Sequence, residues 1–182
     1  MSEKYKVRSS DEVYFLTFTL VEWVDLFTRK SYKDIIVRSL AYCQAHKGLE
    51  LYAYCIMSNH VHLIARATPP ATLSGIVRDF KKFTARTLML ELETNPQESR
   101  RSWLRWMFER NGMGNAHNQH IQVWQQRSHP VALTSDELVQ QRLRYVHDNP
   151  VRAGICFLPE EYVYSSAAQY AGREAILPVL HL

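Results

Sequence analysis

The chain has 182 residues, of which 46% are hydrophobic and 22% charged, as is typical of one globular domain. Its formal net charge of +4 and pI of about 9.0 permit a nucleic-acid partner without requiring one. The sequence lacks an apolar run of roughly 18 residues and a signal-peptide core, which predicts a cytoplasmic protein without membrane contact. Three scattered cysteines, Cys43, Cys55 and Cys156, argue against a disulfide framework or a zinc ribbon.

The first part of the chain predicts a strand, a helix and two further strands. Residues Val13 to Trp23 are rich in aromatic and β-branched side chains, which is typical of a strand. Apolar residues recur at helical spacing from Tyr32 to His46, and Gly48 is expected to stop this helix. The apolar run from Leu51 to Ala67 predicts two strands joined by a turn near Ser58-Asn59.

A Thr-Pro-Pro sequence then separates these strands from a helical region. The spacing of apolar residues predicts a long helix over Leu73 to Glu93 and a shorter one over Gln97 to Arg110. A polar, glycine-containing loop is predicted from Asn111 to His120, followed by a short strand from Ile121 to Trp124.

The last main helix is predicted to begin at Thr134, where Thr134 and Glu137 have the spacing of a capping box. Pro150 disfavours helical geometry in the residue before it, so we expect this helix to end near Asn149. The resulting order, β-α-β-β-α-(α)-β-α, predicts an α+β fold with helices on one side of an antiparallel sheet.

The long predicted helix carries a basic strip beside its apolar stripe. No acidic residue interrupts the strip between Lys81 and Arg86. The strip is either the solvated face of an amphipathic helix or a surface that contacts DNA phosphates. The candidate phosphate-contacting residues are Arg78, Lys81, Lys82, Arg86 and, near the end of the last helix, Arg152.

Two histidines in the predicted strand pair are candidate metal ligands. His60 and His62 are two residues apart, so on a strand both side chains lie on the same face, while Val61 and Leu63 lie on the other. Two imidazoles on one rigid face form half of a site for a divalent metal. The alternative is that one or both are ordinary hydrogen-bonded histidines.

Tyr145 and Asn149 form a second candidate pair. They are four residues apart in the predicted last helix and lie at the edge of its apolar face. A tyrosine phenol can act as a nucleophile, and an amide oxygen beside His60 and His62 would complete a ligand set for Mg²⁺ or Mn²⁺. Such a metal would polarise a phosphodiester and stabilise its leaving oxygen. The alternative for Tyr145 is a half-buried packing residue.

With both pairs placed, the chain resembles the single-tyrosine HUH transposases, and within them the REP-associated tyrosine transposases. The resemblance covers the chain from about Tyr14 to Tyr170. Its most specific element is the combination of His-x-His on a strand with Tyr-Val-x-x-Asn-Pro on a later helix. The matching stretches are Tyr54 to Ile64, Trp124 to Gln126, Tyr145 to Gly154 and Tyr164 to Ala167.

The resemblance implies a reaction and the residues that perform it. His60, His62 and Asn149 would hold Mg²⁺ or Mn²⁺, and Tyr145 would be the nucleophile. The implied activity is cleavage of single-stranded DNA that contains REP-like hairpins. It would proceed through a covalent 5′-phosphotyrosine and leave a free 3′-OH that can rejoin strands. The protein would be nucleoid-associated and act as a monomer or a homodimer.

The resemblance also implies a fold: a ferredoxin-like antiparallel sheet with the histidine pair on a central strand and the tyrosine on a C-terminal helix. Residues 1–182 would form a single domain with a core over about 13–170. Residues 95–120 would be an insertion that contacts DNA or mediates dimerisation.

Two other functions are compatible with the same residues. The first is a domesticated DNA-hairpin-binding protein that has lost catalysis, although the complete set of His60, His62, Tyr145 and Asn149 argues against it. The second is a metal-dependent hydrolase with water as the nucleophile, which would need a nearby carboxylate base. Asp148 is adjacent to the proposed site, but it lies on a different face of the helix from Tyr145. For His147 we expect a structural or solvent-facing role rather than a role in proton transfer.

Overall fold

The structure is a computed structural model that describes residues 12–113, 121–126 and 128–182. The described strands are β1 (Tyr14–Thr19), β2 (Leu49–Ile56), β3 (His60–Ala67) and β4 (Val131–Ala132). The described helices are α1 (Lys30–His46), α2 (Leu73–Thr94), α3 (Arg101–Met113), α4 (Asp136–Arg152) and α5 (Ala167–Tyr170). Two short 3₁₀ turns lie at Val21–Trp23 and Pro159–Glu161. None of the described helices is long and apolar enough to cross a membrane.

The four described strands form one antiparallel sheet in the order β2-β3-β1-β4. β3 is therefore an interior strand, with β1 and β2 hydrogen-bonded to its two sides. The register pairs His62 with Thr17 of β1 and with Cys55 of β2. This confirms the α+β fold with an antiparallel sheet and places the histidine pair on a central strand, as predicted.

Alternate strand residues separate into two apolar clusters, one on each face of the sheet. On the first face, Leu16 and Leu63 pack with the apolar stripes of α1 and α2. On the second face, Phe15 and Ile64 pack with Val146 of α4. The helices thus cover both faces, whereas the element order predicted them on one side. The second face is apolar and must be buried, and the apolar stripe of α4 supplies the cover.

The first predicted strand ends earlier than its composition indicates. It was expected to reach Trp23, but β1 stops at Thr19. Glu22 and Trp23 have φ angles of +53° and +52°, a left-handed conformation that cannot continue a strand. The chain then enters α1 and leaves it through Gly48, whose φ of +69° permits the turn into β2.

The predicted strand from Ile121 to Trp124 is wrong. Trp124 forms a single antiparallel bridge with Leu20. Its side chain is buried, and its indole N–H donates to the hydroxyl of Thr84 at 3.0 Å. The apolar character of this segment therefore reflects packing of side chains and not a strand ladder. The fourth strand is instead β4, which the sequence did not predict.

The boundaries of α4 differ from the prediction at both ends. Its N-cap is Ser135, whose hydroxyl accepts from the Leu138 N–H at 3.3 Å, so the predicted cap at Thr134 is wrong by one residue. The helix continues through Pro150 to Arg152. Proline lacks one N–H, but the last turn still closes, because the Ala153 N–H donates to the Asn149 carbonyl at 3.0 Å.

The region after α2 is more helical than the sequence indicated. The predicted loop from Asn111 to His120 is wrong over its first three residues, which belong to α3. The rest of that loop, 114–120, lies outside the described residues. The predicted helix start at Gln97 is also early, since α3 begins at Arg101. In the preceding segment Glu98 is only 3% exposed.

Glu98 organises a charged cluster between the start of α1 and the start of α3. Its carboxylate accepts from Arg100 at 3.0 Å, from Arg29 at 3.3 Å and from the hydroxyl of Tyr32 at 3.2 Å. The hydrogen bonds from Arg100 lower the pKa of Glu98 to about 2. The cluster ties the segment between α2 and α3 to the body of the fold.

The C-terminal residues lie along the outer side of β2. The Ile56 N–H donates to the Tyr164 carbonyl at 2.9 Å, and the Ser166 N–H donates to the Tyr54 carbonyl at 3.0 Å. Farther along, the Leu180 N–H donates to the Leu51 carbonyl at 2.9 Å. Cys43 and Cys55 are buried free thiols, and Cys156 is a half-buried one.

Candidate active site

β3 presents His60 and His62 on the face of the sheet that α4 covers. Their ring centroids are 4.6 Å apart and their planes are inclined by 69°. His62 is 3% exposed, while His60 is half-buried nearer the end of the strand. The period of two along the strand produces this pairing, as expected from the sequence.

Hydrogen bonding occupies Nδ1 of His62 and leaves its Nε2 available. Its Nδ1 lies 2.9 Å from the hydroxyl of Thr17 on the neighbouring strand. Its Nε2 is buried and has no hydrogen-bond partner within the described residues. Burial, with the nearby charges of His60 and Arg142, lowers the pKa of His62 to about 3. The ring is therefore neutral at physiological pH, the state in which imidazole binds a metal.

His60 is held in a similar way by amide groups. Its Nδ1 lies 2.6 Å from Oδ1 of Asn59, which can only accept, so the proton is on Nδ1 and the lone pair on Nε2. Asn149 of α4 also lies near His60, and its side chain acts to raise the pKa of that ring. Burial has the larger effect and lowers the pKa of His60 below its ordinary value. The structure thus brings Asn149 of α4 to the histidine strand.

Tyr145 packs directly against His62. Their ring centroids are 5.3 Å apart with the planes inclined by 69°. Phe15 contacts both rings, edge to face with Tyr145 at 5.8 Å and stacked on His62 at 5.3 Å. Because α4 is anchored through Leu143 and Val146, the half-buried Tyr145 is held at the border between the core and solvent. The predicted quartet of two histidines, a tyrosine and an asparagine is assembled in one place.

Two arginines flank the tyrosine ring. The guanidinium carbon of Arg142 is 6.0 Å from the centroid of Tyr145 and 5.1 Å from that of Phe15. The guanidinium carbon of Arg152 is 5.7 Å from the centroid of Tyr145. Nε of Arg142 is buried and has no hydrogen-bond partner in the described part of the chain. Both arginines place positive charge where an anionic group beside Tyr145 would lie.

The basic strip of α2 is separated from this quartet by the sheet. α2 packs on the first face, with Leu16 and Phe18, whereas α4 packs on the second. Arg78, Lys82 and Arg86 are exposed there, and Arg78 pairs with Asp79 at 3.0 Å. Of the five predicted phosphate contacts, Arg152 alone is beside Tyr145.

Lys81 differs from the rest of the strip because it points inward. Its ammonium donates to the Gln125 carbonyl at 3.0 Å and to the hydroxyl of Ser128 at 2.7 Å. It also lies 5.2 Å from the centroid of Phe18. Burial lowers its pKa to about 8. These contacts fix the segment around Gln125 to α2.

The family model of the IS200-like transposases matches residues 13–126. The chain belongs to this transposase family. Its fold is similar to that of a REP-associated tyrosine transposase solved bound to a REP hairpin: identity is 16%, the TM-score is 0.68, and 95% of this chain and 87% of that chain are covered. A putative transposase from Deinococcus radiodurans R1 has 21% identity and a TM-score of 0.43, covering 75% of this chain and 88% of that chain. Comparison with curated proteins gives no match.

The family match confirms the resemblance drawn from the sequence and covers the histidine strand of the transposase. It ends before α4, which carries Tyr145 and Asn149. The role of these two residues therefore depends on their contacts with His60 and His62.

Three residues of the candidate site were not predicted from the sequence: Thr17, Asn59 and Arg142. Asn59 directly precedes His60, and Arg142 is three residues before Tyr145, on the same side of the helix. These spacings could have identified both. Thr17 could not have been found without the register of β1 on β3, since it is distant from His62 in sequence.

The side chains of the candidate site fit a divalent metal. Both histidines have Nδ1 bound to an oxygen-bearing side chain, the outer contact that orients metal-binding imidazoles. The described residues contain no group of three or more His, Cys, Asp or Glu side chains suited to a metal. A site here would thus need the amide oxygen of Asn149 as its third protein donor, with open positions for water and phosphate.

His147 contacts the C-terminal segment of the transposase. Its Nε2 lies 2.9 Å from the hydroxyl of Ser166, and its ring packs on Tyr170 with centroids 5.0 Å apart. These contacts fasten α4 to the C-terminal segment, away from Tyr145 and in agreement with the structural role expected from the sequence.

We expect His147 to make the stability of the transposase depend on pH. Burial lowers its pKa from 6.5 to about 4. Between pH 6.5 and 4, His147 is protonated in the unfolded chain but stays neutral in the folded protein. The free energy of unfolding therefore falls as the pH decreases from 6.5 toward 4. When the pH is lowered from 7 to 5, the free energy of unfolding of His147→Gln should fall by about 2 kcal/mol less than that of the wild type. Urea denaturation at the two pH values measures this difference. The exposed His46→Gln should behave as the wild type, and an equal pH dependence of all three proteins would contradict the assignment.

Proposed function

We propose that this transposase cleaves and rejoins single-stranded DNA through a covalent bond to Tyr145. The observation that carries the proposal is the contact of Tyr145 with a buried histidine whose Nε2 is unpartnered among the described residues. A nucleophilic phenol, two neutral imidazoles and an amide oxygen meet at one place on a rigid strand and helix. This combination suits phosphoryl transfer better than it suits binding alone.

Each step of the proposed reaction forms one phosphoester bond and breaks another, so the number of these bonds does not change. The Tyr145 oxygen attacks the phosphorus, loses its proton, and forms a 5′-phosphotyrosine. The bond to the 3′ oxygen breaks, and that oxygen leaves as a 3′-OH after taking up a proton. In the second step a 3′-OH attacks the phosphotyrosine and releases Tyr145. No external energy source is required because the bond energy is kept in the intermediate.

We assign the metal-binding role to His60, His62 and Asn149. Mg²⁺ or Mn²⁺ bound there would supply Lewis-acid polarisation of the phosphate and stabilise the leaving oxygen. Thr17 and Asn59 hold the two rings in orientation through the hydrogen bonds to Nδ1. Arg142 and Arg152 are placed to neutralise the phosphate and the charge that develops on it.

We infer that the DNA partner contains a hairpin with single-stranded flanks. The inference draws on the similarity of the fold to a REP-associated transposase solved with a REP hairpin. The exposed Arg78, Lys82 and Arg86 of α2 remain candidate phosphate contacts. Since they lie across the sheet from Tyr145, a DNA that reached both regions would have to pass around the sheet.

Covalent capture tests the proposal. The purified protein is incubated with hairpin oligonucleotides labelled at the 3′ end, which stays with the 5′-phosphotyrosine, and Mg²⁺ or Mn²⁺, and the products are separated on a denaturing gel. We expect label that migrates with the protein and disappears when EDTA removes the metal. Cleavage without covalent label would indicate attack by water, and binding without cleavage of any hairpin offered would indicate a non-catalytic hairpin-binding protein.

A further inference from the structure

The turn after β1 exposes one large aromatic side chain next to the histidines. Trp23 is 60% exposed, and its ring centroid lies 6.3 Å from that of His60. Its apolar neighbours Val21 and Val24 are buried. The turn therefore buries its small apolar side chains and leaves its largest one in solvent, the reverse of what packing alone would favour.

The backbone of this turn is strained and firmly held. Glu22 and Trp23 both have left-handed φ angles, +53° and +52°, which cost free energy for residues with bulky side chains. Hydrogen bonds on both sides maintain the conformation. The Leu20 N–H donates to the Asn59 carbonyl at 2.9 Å, and the Val21 N–H donates to the Val123 carbonyl at 3.0 Å. The exposed indole is thus presented by a fixed backbone.

Asn59 links the indole to the proposed metal ligand. Its Nδ2 donates to the Trp23 carbonyl and to Oδ1 of Asp25, both at 3.2 Å. Its Oδ1 accepts from Nδ1 of His60 at 2.6 Å. One amide side chain therefore sets the position of the Trp23 backbone and the orientation of the His60 ring, so the two rings keep a fixed relation.

Negative charges lie at the turn that carries Trp23, and positive charges lie at Tyr145. The turn from Val21 to Asp25 contains two carboxylates, Glu22 and Asp25, and no lysine or arginine. The guanidinium groups of Arg142 and Arg152 lie instead at Tyr145. Arg100 reaches this turn and donates to the Asp25 carbonyl at 2.8 Å, but its charge is paired with the Glu98 carboxylate at 3.0 Å. A DNA backbone would therefore be drawn more strongly to the arginines at Tyr145 than to the turn, which leaves an uncharged base as the part of a nucleotide that suits the Trp23 ring.

We propose that Trp23 is a stacking platform for a base of the single strand whose phosphate lies at Tyr145. This inference rests on the proposed function, since it takes single-stranded DNA as the substrate. Stacking on an indole fixes the strand next to the reacting phosphate and tolerates every base, because each base has a π face. Trp23 would thus position the substrate, while sequence recognition would come from other contacts.

Fluorescence and binding measurements test this role without requiring cleavage. The probes are unlabelled hairpin oligonucleotides with single-stranded flanks of mixed sequence, titrated against the purified 182-residue chain. We expect stacking to quench the indole fluorescence. Trp23→Phe should lose most of the quenching and keep most of the affinity, because phenylalanine also stacks. Trp23→Ala should bind about tenfold more weakly, as expected for the loss of one base–aromatic stack.

Trp103 provides a matched control, since it is 51% exposed on α3. Trp103→Phe should retain the quenching. A scan of abasic residues along the flank should find a position that weakens binding to the wild type but not to Trp23→Ala. The proposal is overturned if Trp23→Phe retains full quenching and Trp23→Ala binds as the wild type does. Quenching at Trp23 without any covalent adduct would support the stacking role and refute the proposed strand transfer.

Discussion

Tyr145→Phe is expected to abolish the covalent DNA–protein adduct while leaving the fold intact. The substitution removes the one oxygen that is proposed to attack the phosphate. The ring contacts with His62 and Phe15 are retained, so the free energy of unfolding should change by less than about 1 kcal/mol. Denaturing gels with hairpin DNA labelled at its 3′ end measure the adduct, and mass spectrometry of the digested wild-type adduct locates the modified residue.

Tyr42→Phe is the matched control for this variant. Tyr42 is 55% exposed on α1, on the opposite face of the sheet from His62, and its loss should leave the adduct unchanged. An adduct that persisted in Tyr145→Phe would assign the nucleophile to another residue. Loss of the adduct with continued cleavage would transfer the reaction to water and favour the hydrolase interpretation.

Glu98→Ala is expected to destabilise the protein by about 3 kcal/mol. The carboxylate is fully buried and accepts from two arginines and a tyrosine. Its removal leaves the charges of Arg29 and Arg100 without the carboxylate that compensates both. For a chain of this size the midpoint of thermal unfolding should fall by roughly 6–12 °C. Differential scanning calorimetry measures the change.

Glu109→Ala is the control, because Glu109 also pairs with an arginine, at 2.8 Å, but on the surface of α3. Its loss should cost less than about 1 kcal/mol. The Glu98 contribution should also depend on pH. Since the folded pKa of Glu98 is about 2, below the 4.5 of an ordinary glutamate, its stabilisation is present above pH 4.5 and is lost as the pH falls toward 2. Similar costs for the two variants would show that the buried cluster does not stabilise the fold.

The sequence predicted those features that depend on the spacing of residues within a single strand or helix. The period of two at His60 and His62 placed both rings on one face, and the spacing of Tyr145 and Asn149 placed both at the edge of one helix. These are properties of a single strand and a single helix. Because each pair is fixed within its own element, only the packing of α4 on β3 was needed to bring the four residues together.

The parts that sequence could not predict depend on contacts between distant segments. Trp124 has the composition of a strand residue, yet the Thr84 hydroxyl and the core determine its position. The inward turn of Lys81 follows from acceptors at Gln125 and Ser128, which no helical pattern reveals. The partner of His62 on β1, Thr17, required the register of the sheet. In each case tertiary contacts overrode or extended the local preference.

The C-terminal residues that run along β2 protect this edge of the sheet from pairing with another chain at high protein concentration. A bare edge strand is a template on which another chain can add a strand, which leads to aggregation or exchange of segments. Here Tyr164, Ser166 and Leu180 already occupy backbone groups of β2. The opposite edge strand, β4, has two residues. Within the described residues the sheet thus offers little surface for strand addition, and β3 with its histidines stays in the interior, where no second chain can shift its register.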